Sequence, residues 1–238
     1  MTIGAVVSAV FVANESRAQQ PIMPLRLFAS RQRSGAAISR LLFAGAMIAF
    51  FFFTTQFLQG VYGWNPLQAG LAFLPMTIVQ FVFSLFVPRL TQRYGTGWVL
   101  VTGLAFVLAG MAWMTQLTAD TSYVVGVTLP MVLIGFGQGL AFGPLTAAGI
   151  AGAHIDDAGA ASGLVNTAHQ LGSTLGVALL TAVAAGATTI AARVVDAYIG
   201  GAVMLAIALL AAVVLILPAE RTARSRPKGS VIESAAHH

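Results

Sequence analysis

The sequence predicts an all-α, polytopic membrane protein whose main body is a bundle of six membrane-spanning helices. Hydrophobic residues make up 58% of the chain and charged residues only 8%, whereas about 25% of the residues of an ordinary soluble domain are charged. The apolar residues fall into long runs, and the basic residues that produce the net charge of +5 lie mostly between those runs. This placement is typical of a protein embedded in a lipid bilayer and argues against a nucleic-acid-binding protein.

Two segments precede the bundle, residues 1–13 and residues 14–37. The first is apolar but shorter than the roughly 20 residues that a spanning helix needs, and it lacks the basic start of a signal peptide. We interpret it as a partial transmembrane helix whose beginning is missing; the alternative, a segment lying in the membrane interface, is disfavoured because the segment has no polar face. The second is a basic connector, made irregular at its start by Pro21 and Pro24.

The six-helix bundle is expected over residues 38–218, followed by a polar tail over 219–238. The six spans are placed near 38–61, 67–87, 97–118, 123–150, 159–186 and 197–218. Asn65 and Pro66 predict the start of the second span, because asparagine caps a helix and proline fits its first turn. Pro75 in the second span, and Pro130 and Pro144 in the fourth, predict kinks that a membrane bundle tolerates.

The basic residues predict the orientation of the bundle. If the connector is cytoplasmic, eleven of the twelve Lys and Arg residues lie on the cytoplasmic side and only Arg193 lies on the other. The positive-inside rule therefore predicts that both ends of the bundle face the cytoplasm, in a multi-pass protein of the cell (cytoplasmic) membrane. The cytoplasmic residues are Arg17, Arg26, Arg31, Arg33, Arg40, Arg89, Arg93, Arg221, Arg224, Arg226 and Lys228.

The sequence contains no arrangement of residues typical of an enzyme, a metal site or a cofactor site. There are no cysteines, and no His, Asp and Glu residues follow metal-ligand spacing. Ser162 and His169 share a helix face, but two turns separate them by about 10 Å, so they cannot form a nucleophile–base pair. We therefore predict a protein without catalytic residues, metal or cofactor.

Glycines and polar residues inside the spans form the candidate functional site. Gly135, Gly139 and Gly143 share one face of the fourth span, and Gly172 and Gly176 share one face of the fifth. Small residues let membrane helices approach closely. The polar residues at membrane depth, which are costly unless they face protein or water, are Gln56, Gln80, Gln138, Asn166, His169 and Gln170.

Two interpretations of these residues stay open. The amides and glycines either line a pathway through the membrane or serve only to join helices, and their convergence from several helices favours the pathway. Every charged residue is expected outside the spans, which leaves His169 as the only group at depth that can titrate. The chain alone therefore offers little for proton coupling.

The chain resembles the C-terminal half of a major facilitator superfamily transporter, and more narrowly the drug:proton antiporter branch with fourteen transmembrane helices. The resemblance covers nearly the whole chain. The matching residues are Pro24, Leu25, Arg26, Leu27 and Phe28; Gln59, Gly63, Pro66, Ala69, Gly70, Leu74 and Pro75; Arg93 and Gly95; Gly135, Gly139, Pro144, Leu145 and Thr146; and Gly159, Ala161, Ser162, Gly163, Asn166, Gln170, Gly172 and Gly176.

This resemblance implies a fold of two six-helix halves with a substrate path between them near the membrane midplane. The first, second, fourth and fifth spans would then face the path, and the third and sixth would pack outside. It implies proton-driven export of lipophilic or cationic small molecules, with the in-membrane polar residues lining the path and with Arg89 and Arg93 at a gate. The coupling carboxylates would lie in the other half. The alternative is a truncated or non-transporting membrane module that needs a partner half or a second copy.

Overall fold

The computed structural model describes residues 30–153 and 157–224, and within these ranges the protein is helical without strands. Six helices are long and apolar enough to cross a membrane, so the predicted six-helix, all-α architecture is confirmed. They are α1 (Arg31–Gly60), α2 (Pro66–Ser84), α4 (Thr96–Met114), α5 (Val124–Ile150), α6 (Ala158–Gly186) and α7 (Ile190–Glu220), and the short helix α3 (Val87–Tyr94) lies between α2 and α4. The predicted partial helix over 1–13, most of the connector and most of the tail lie outside the described residues.

The first and last long helices begin earlier than the sequence predicts. The α1 helix begins at Arg31 because the hydroxyl of Ser30 accepts a hydrogen bond from the backbone N–H of Arg33 at 3.4 Å. The α7 helix begins after Thr189, whose hydroxyl accepts from the backbone N–H of Ala192 at 3.1 Å. Each cap satisfies a backbone donor that would otherwise have no partner in the first turn. Residues 31–37, which the sequence assigns to the connector, are therefore part of α1.

Prolines and a capping box fix the shape of α2. Asn65 accepts from the backbone N–H of Gln68 at 2.9 Å, and the side chain of Gln68 accepts from the backbone N–H of Asn65 at 3.0 Å. The helix is interrupted at residues 72–73, immediately before the turn that carries Pro75. Proline cannot donate the backbone hydrogen bond that would continue the preceding turn, which explains the predicted kink at this place.

The helices form two three-span units that pack against each other in a repeated pattern. In the first unit, α1 packs mainly against α6 and α7 of the second unit. In the second unit, α5 packs mainly against α2 and α4 of the first. The first helix of each unit therefore lies against the second and third helices of the other, which gives the bundle an internal two-fold character. The α2 and α6 helices are consequently at the edges and are the least buried of the six spans.

Glycines allow backbone contact along two of these helix contacts, which we call the α1–α6 seam and the α2–α5 seam. A Cβ atom built on Gly172 would meet the carbonyl group of Leu41, and one built on Gly176 would lie 2.7 Å from the carbonyl oxygen of Gly45. On the α2–α5 seam, a Cβ atom on Gly139 would lie 2.7 Å from the carbonyl oxygen of Gln80. These distances leave no room for a side chain, so the two seams depend on glycine at these positions.

Candidate functional site

A groove opens on the surface of the bundle between α2 and α5. Its volume is about 540 Å³, and most of its wall is apolar. Two glutamines project from its two sides: Gln80 from α2, which is partly buried, and Gln138 from α5, which is only 5% exposed. Thr77 and Ser84 add hydroxyl groups on the α2 side. Amide and hydroxyl groups at this depth provide hydrogen bonds in a surface that is otherwise apolar, as in sites that bind small organic molecules.

The floor of the groove depends on the glycines of α5. The Cβ position of Gly135 lies against the backbone carbonyl of Met76, and Gly139 approaches Gln80 as described above. Gly143 differs from them, because its Cβ position has only the side chain of Val87 within reach, at an ordinary 3.7 Å. Gly135 and Gly139 therefore hold α2 and α5 together, while Gly143 lines the open part of the groove.

A buried arginine lies beyond the α5 wall of this groove. Arg40 on α1 is 6% exposed, and its guanidinium carbon is 4.0 Å from the centre of the Phe142 ring, which itself lines the groove. Its Nη1 donates a long hydrogen bond of 3.5 Å to the hydroxyl of Thr146. Its Nε is buried and has no hydrogen-bond partner among the described residues. The sequence reasoning assigned this arginine to topology and did not include it among the candidate path residues.

The expectation that every charged residue lies outside the spans is therefore wrong. Arg40 already falls inside the predicted first span of 38–61, and because α1 begins at Arg31 it lies roughly nine residues, or about 14 Å, along the helix. The sequence does contain a signal for this position. Ser30 is a suitable N-cap, and a helix that begins there continues without a break through Arg40 into the apolar run that begins at Leu41. An arginine inside a spanning helix is costly and points to a functional site.

His169 on α6 lies near the same aromatic ring. Its ring centre is 6.3 Å from that of Phe142 in an edge-to-face arrangement. Its Nδ1 is buried and has no hydrogen-bond partner among the described residues. Three helices thus bring together a cationic, an aromatic and an imidazole side chain. We call Arg40, Phe142, Thr146 and His169 the Arg40 cluster.

The other predicted path residues lie elsewhere. Gln56 is partly buried near the far end of α1, away from Arg40, and does not line the groove. Asn166 and Gln170 are exposed on α6, where Ser162 and Thr174 continue the same face at intervals of four residues. The structure therefore brings Gln80 and Gln138 together, places His169 in the Arg40 cluster, and leaves Asn166 and Gln170 on an exposed polar stripe of α6.

The predicted gate arginines are on the short helix α3. Arg89 and Arg93 are both exposed, and the guanidinium of Arg93 is 5.3 Å from the ring of Tyr94. The contact that joins this region to the end of α7 involves a different residue, Glu220, whose carboxylate accepts from the backbone N–H groups of Thr96 (2.9 Å) and Gly97. A carboxylate at the start of α4 stabilises this helix, because it accepts from N–H groups that lack a partner within the helix and interacts favourably with the helix dipole.

No group of three or more His, Asp or Glu residues that could hold a metal ion occurs within 30–153 and 157–224. The groove and the Arg40 cluster together present amides, hydroxyls, aromatic rings, an imidazole and one buried guanidinium. Such groups bind and orient a small molecule by hydrogen bonds and ring contacts.

Comparisons with known proteins identify relatives of this chain. The family model described as Major Facilitator Superfamily matches residues 6–177. A cephamycin export protein of Amycolatopsis lactamdurans is 37% identical over 236 residues, which are 96% of this chain and 48% of that protein. A puromycin resistance protein of Streptomyces alboniger is 35% identical over 79% of this chain and 38% of its own length. A multidrug efflux pump of Mycolicibacterium smegmatis is 31% identical over 75% of this chain and 35% of its own length. The chain thus spans about half the length, or less, of these relatives.

Proposed function

Because the chain belongs to the Major Facilitator Superfamily, we propose that this multi-pass membrane protein is one half of an exporter that moves lipophilic or cationic small molecules out of the cell at the expense of a proton gradient. The observation that carries the proposal is the groove between α2 and α5, with Gln80 and Gln138 projecting into an apolar wall. Its volume of about 540 Å³ is within the range of sites for small organic ligands.

The exposed polar stripe on α6 supports a two-halved carrier. Ser162, Asn166, Gln170 and Thr174 point away from the bundle, and in lipid such groups need water or protein partners. A second six-helix unit facing α2 and α6 supplies both, because a path between the two units is wet and the unit itself carries polar groups. The groove, the Arg40 cluster and the stripe then form one continuous wall of that path.

Proton coupling requires a group that this half does not place in the wall. The described acidic residues are Asp120, Asp157, Asp196 and Glu220; none lines the groove or belongs to the Arg40 cluster. A carboxylate of the second half is the simplest proton carrier, and His169 takes that role if two copies of this chain pair instead. In the first case the six described helices do not transport without the second half, whereas in the second case a pair of them does.

The orientation proposed for the module follows its charges. The bundle end that carries Arg31, Arg33, Arg89 and Arg93 faces the cytoplasm, as the positive-inside rule requires. The C-terminal end of α7 lies at this same end, because Glu220 contacts the start of α4. Gln80 in α2 and the Arg40 cluster lie nearer to this end, so a substrate from the cytoplasm reaches them first.

Uptake of ethidium into inside-out vesicles with an imposed proton gradient tests the proposal. The full chain is expressed alone and together with the segment encoded upstream of it. We expect uptake only in the co-expressed sample, and uptake by the chain alone would instead identify a homodimer. If neither sample takes up ethidium or a neutral lipophilic dye, the proposed export function is wrong.

Leucine substitutions at the groove amides test the role of the groove itself. In the transporting sample, Gln80→Leu and Gln138→Leu should each raise the dye concentration for half-maximal uptake about 2- to 10-fold, the equivalent of one net hydrogen bond. Gln116→Leu is the matched control, because Gln116 is exposed in the turn after α4, outside the groove. Equal effects at all three positions would exclude the groove from the path.

A further inference from the structure

We propose that the Arg40 cluster is a binding site for a carboxylate, which is brought either by the transported molecule or by an acidic side chain of the second half. The proposal rests on the proposed function, because it places the cluster in the wall of the path. It adds a chemical class of ligand to that path and predicts that the level of Arg40 favours anionic or zwitterionic groups over purely cationic ones.

The first argument is that the guanidinium is incompletely satisfied. The side chain of Arg40 is only 6% exposed, and a buried charge is costly unless it is paired and hydrogen-bonded. A guanidinium has five N–H donors, whereas among the described residues it contacts one hydroxyl at 3.5 Å and one aromatic face at 4.0 Å. An aromatic ring compensates part of the charge but accepts none of the in-plane donors.

The second argument is the direction of the free donor. The Nη1 group is engaged with Thr146, and the Nε–H has no partner within the described ranges. In a guanidinium, Nε and Nη2 point to the same side and form the edge that a carboxylate binds through two parallel hydrogen bonds. The contact with Thr146 therefore leaves the edge that suits a bidentate carboxylate available.

The third argument is that a second buried polar group without a hydrogen-bond partner, the imidazole of His169, lies at the same aromatic ring. His169 lies near the Phe142 ring over which Arg40 is placed, and its buried Nδ1 has no partner in the described part of the chain. Both side chains contact Phe142, one at the ring face and one at the ring edge. A carboxylate at this place accepts from the guanidinium and from the imidazole together, so a single ligand satisfies both orphaned groups.

The position of Phe142 connects the cluster to the groove. One side of this side chain lines the groove with Gln138, and its ring face carries Arg40. A molecule with an aromatic body and an acidic group can therefore place its body in the groove and its carboxylate at Arg40.

Ligand binding, measured without transport, tests the proposal independently of the export assay. The full chain is reconstituted in nanodiscs of phosphatidylcholine, and the binding of 2-naphthoate and of its neutral amide is measured by isothermal titration. A charge-assisted pair predicts about tenfold or tighter binding of the carboxylate. Arg40→Met should bring the ratio close to one with binding of the amide unchanged, and Arg40→Lys should retain part of the preference. Arg193→Met, at an exposed position on α7, is the control with an unchanged ratio.

A second arm identifies the source of the carboxylate. If the acid comes from the second half, the preference for naphthoate that the isolated chain shows is lost in the co-purified complex of the two halves, and Arg40→Met weakens that complex while leaving the isolated chain as stable as before. If the acid comes from the substrate, the complex is unaffected and the preference is present. Equal binding of acid and amide together with an unaffected complex overturns the proposal. Because ethidium uptake is measured separately, that result leaves the export function standing.

Discussion

A single added methyl group at Gly172 tests whether the α1–α6 seam depends on backbone contact. A Cβ atom at this position would meet three backbone atoms of Leu41: the carbonyl oxygen, the carbonyl carbon at 2.7 Å and the Cα at 2.8 Å. Backbone atoms cannot rotate away as a side-chain end can. Gly172→Ala therefore requires α1 and α6 to separate.

The size of the effect follows from the shortfall in distance. Carbon atoms prefer a separation of about 3.5–4.0 Å, so the helices must move apart by roughly 1 Å at this level. A gap of that size forfeits a quarter to a half of the dispersion energy of the neighbouring contacts, and overpacking typically costs about 1–3 kcal/mol. Against this, alanine is intrinsically about 1 kcal/mol better than glycine in a helix.

Gly163 on the same helix provides a matched control. It is exposed, and a Cβ atom there has nothing within 4 Å. Gly163→Ala should therefore keep the gain in helix propensity without a steric cost. The gain in helix propensity is common to both variants and cancels, so their difference isolates the seam, and we expect Gly172→Ala to be the less stable by about 1–3 kcal/mol.

The assay is equilibrium unfolding of the purified full chain in mixed micelles of increasing sodium dodecyl sulfate content, followed by circular dichroism. Tryptophan fluorescence provides a second probe, since coincident transitions are needed for a free energy of unfolding. If Gly172→Ala is as stable as Gly163→Ala, the close approach of α1 and α6 at Leu41 is wrong, and with it the account of the seam.

Three further outcomes follow from individual contacts. Glu220→Gln removes the charge that caps α4, so the free energy of unfolding should fall by about 0.3–1 kcal/mol, and the loss should shrink in high salt. In the same unfolding assay, Thr54→Val should destabilise the protein more than Tyr198→Phe. Thr54→Val leaves the fully buried phenol of Tyr198 without its hydrogen-bond partner at 2.7 Å. After Tyr198→Phe, the hydroxyl of Thr54 still donates to the carbonyl of Phe50. Burial, and secondly the neighbouring Tyr123, raises the pKa of Tyr62 above its ordinary value of 10. The stability that depends on the protonated phenol is therefore complete below pH 10 and is lost as the pH rises through the raised pKa. In an ultraviolet titration of the tyrosines, Tyr62→Phe should remove the ionisation step at that raised pKa.

The number and approximate position of the spans were predictable because they depend on long apolar runs. The start of α2 was predictable to the residue, since Asn65 and Pro66 are strong local signals and the capping box forms within four residues. The starts of α1 and α7 were not, although each has a hydroxyl cap. Ser30 and Thr189 stand among other small and polar residues, and hydropathy alone places a span where charges end rather than where a helix begins.

The glycine pattern predicted which faces are small but not which partners they meet. Gly135 and Gly139 share a face with Gly143 in the sequence, yet only the first two lie against a backbone. Gly137, on another face of α5, meets the carbonyl group of Gly103 on α4 at close range and was not singled out. The distinction depends on how α5 is rotated between α2 and α4, which is a tertiary property that a spacing of four residues does not contain.

Arg40 shows the same limitation for the candidate site. The sequence shows an arginine at this position, but whether it belongs to the cytoplasmic connector or to the candidate site depends on the course of α1. In the helix that Ser30 caps, the guanidinium lies over the ring of Phe142, so a residue assigned to topology becomes part of the candidate site. The contact itself joins α1 to α5 across more than a hundred residues of sequence, so it could only be found in the folded chain.

The seams also bear on how such a half would move. Small residues at a helix contact are compatible either with sliding helices or with tightly joined ones. Here Gly172 and Gly176 lie against Leu41 and Gly45, and Gly139 lies against Gln80, in each case backbone to backbone. Sliding by one residue would bring a side chain into at least one of these contacts, since few neighbouring positions are glycine. We therefore interpret the seams as rigid joints, which makes the six helices move as one body. The motion that opens and closes the path then takes place at the less buried edges of α2 and α6, where the second half would lie.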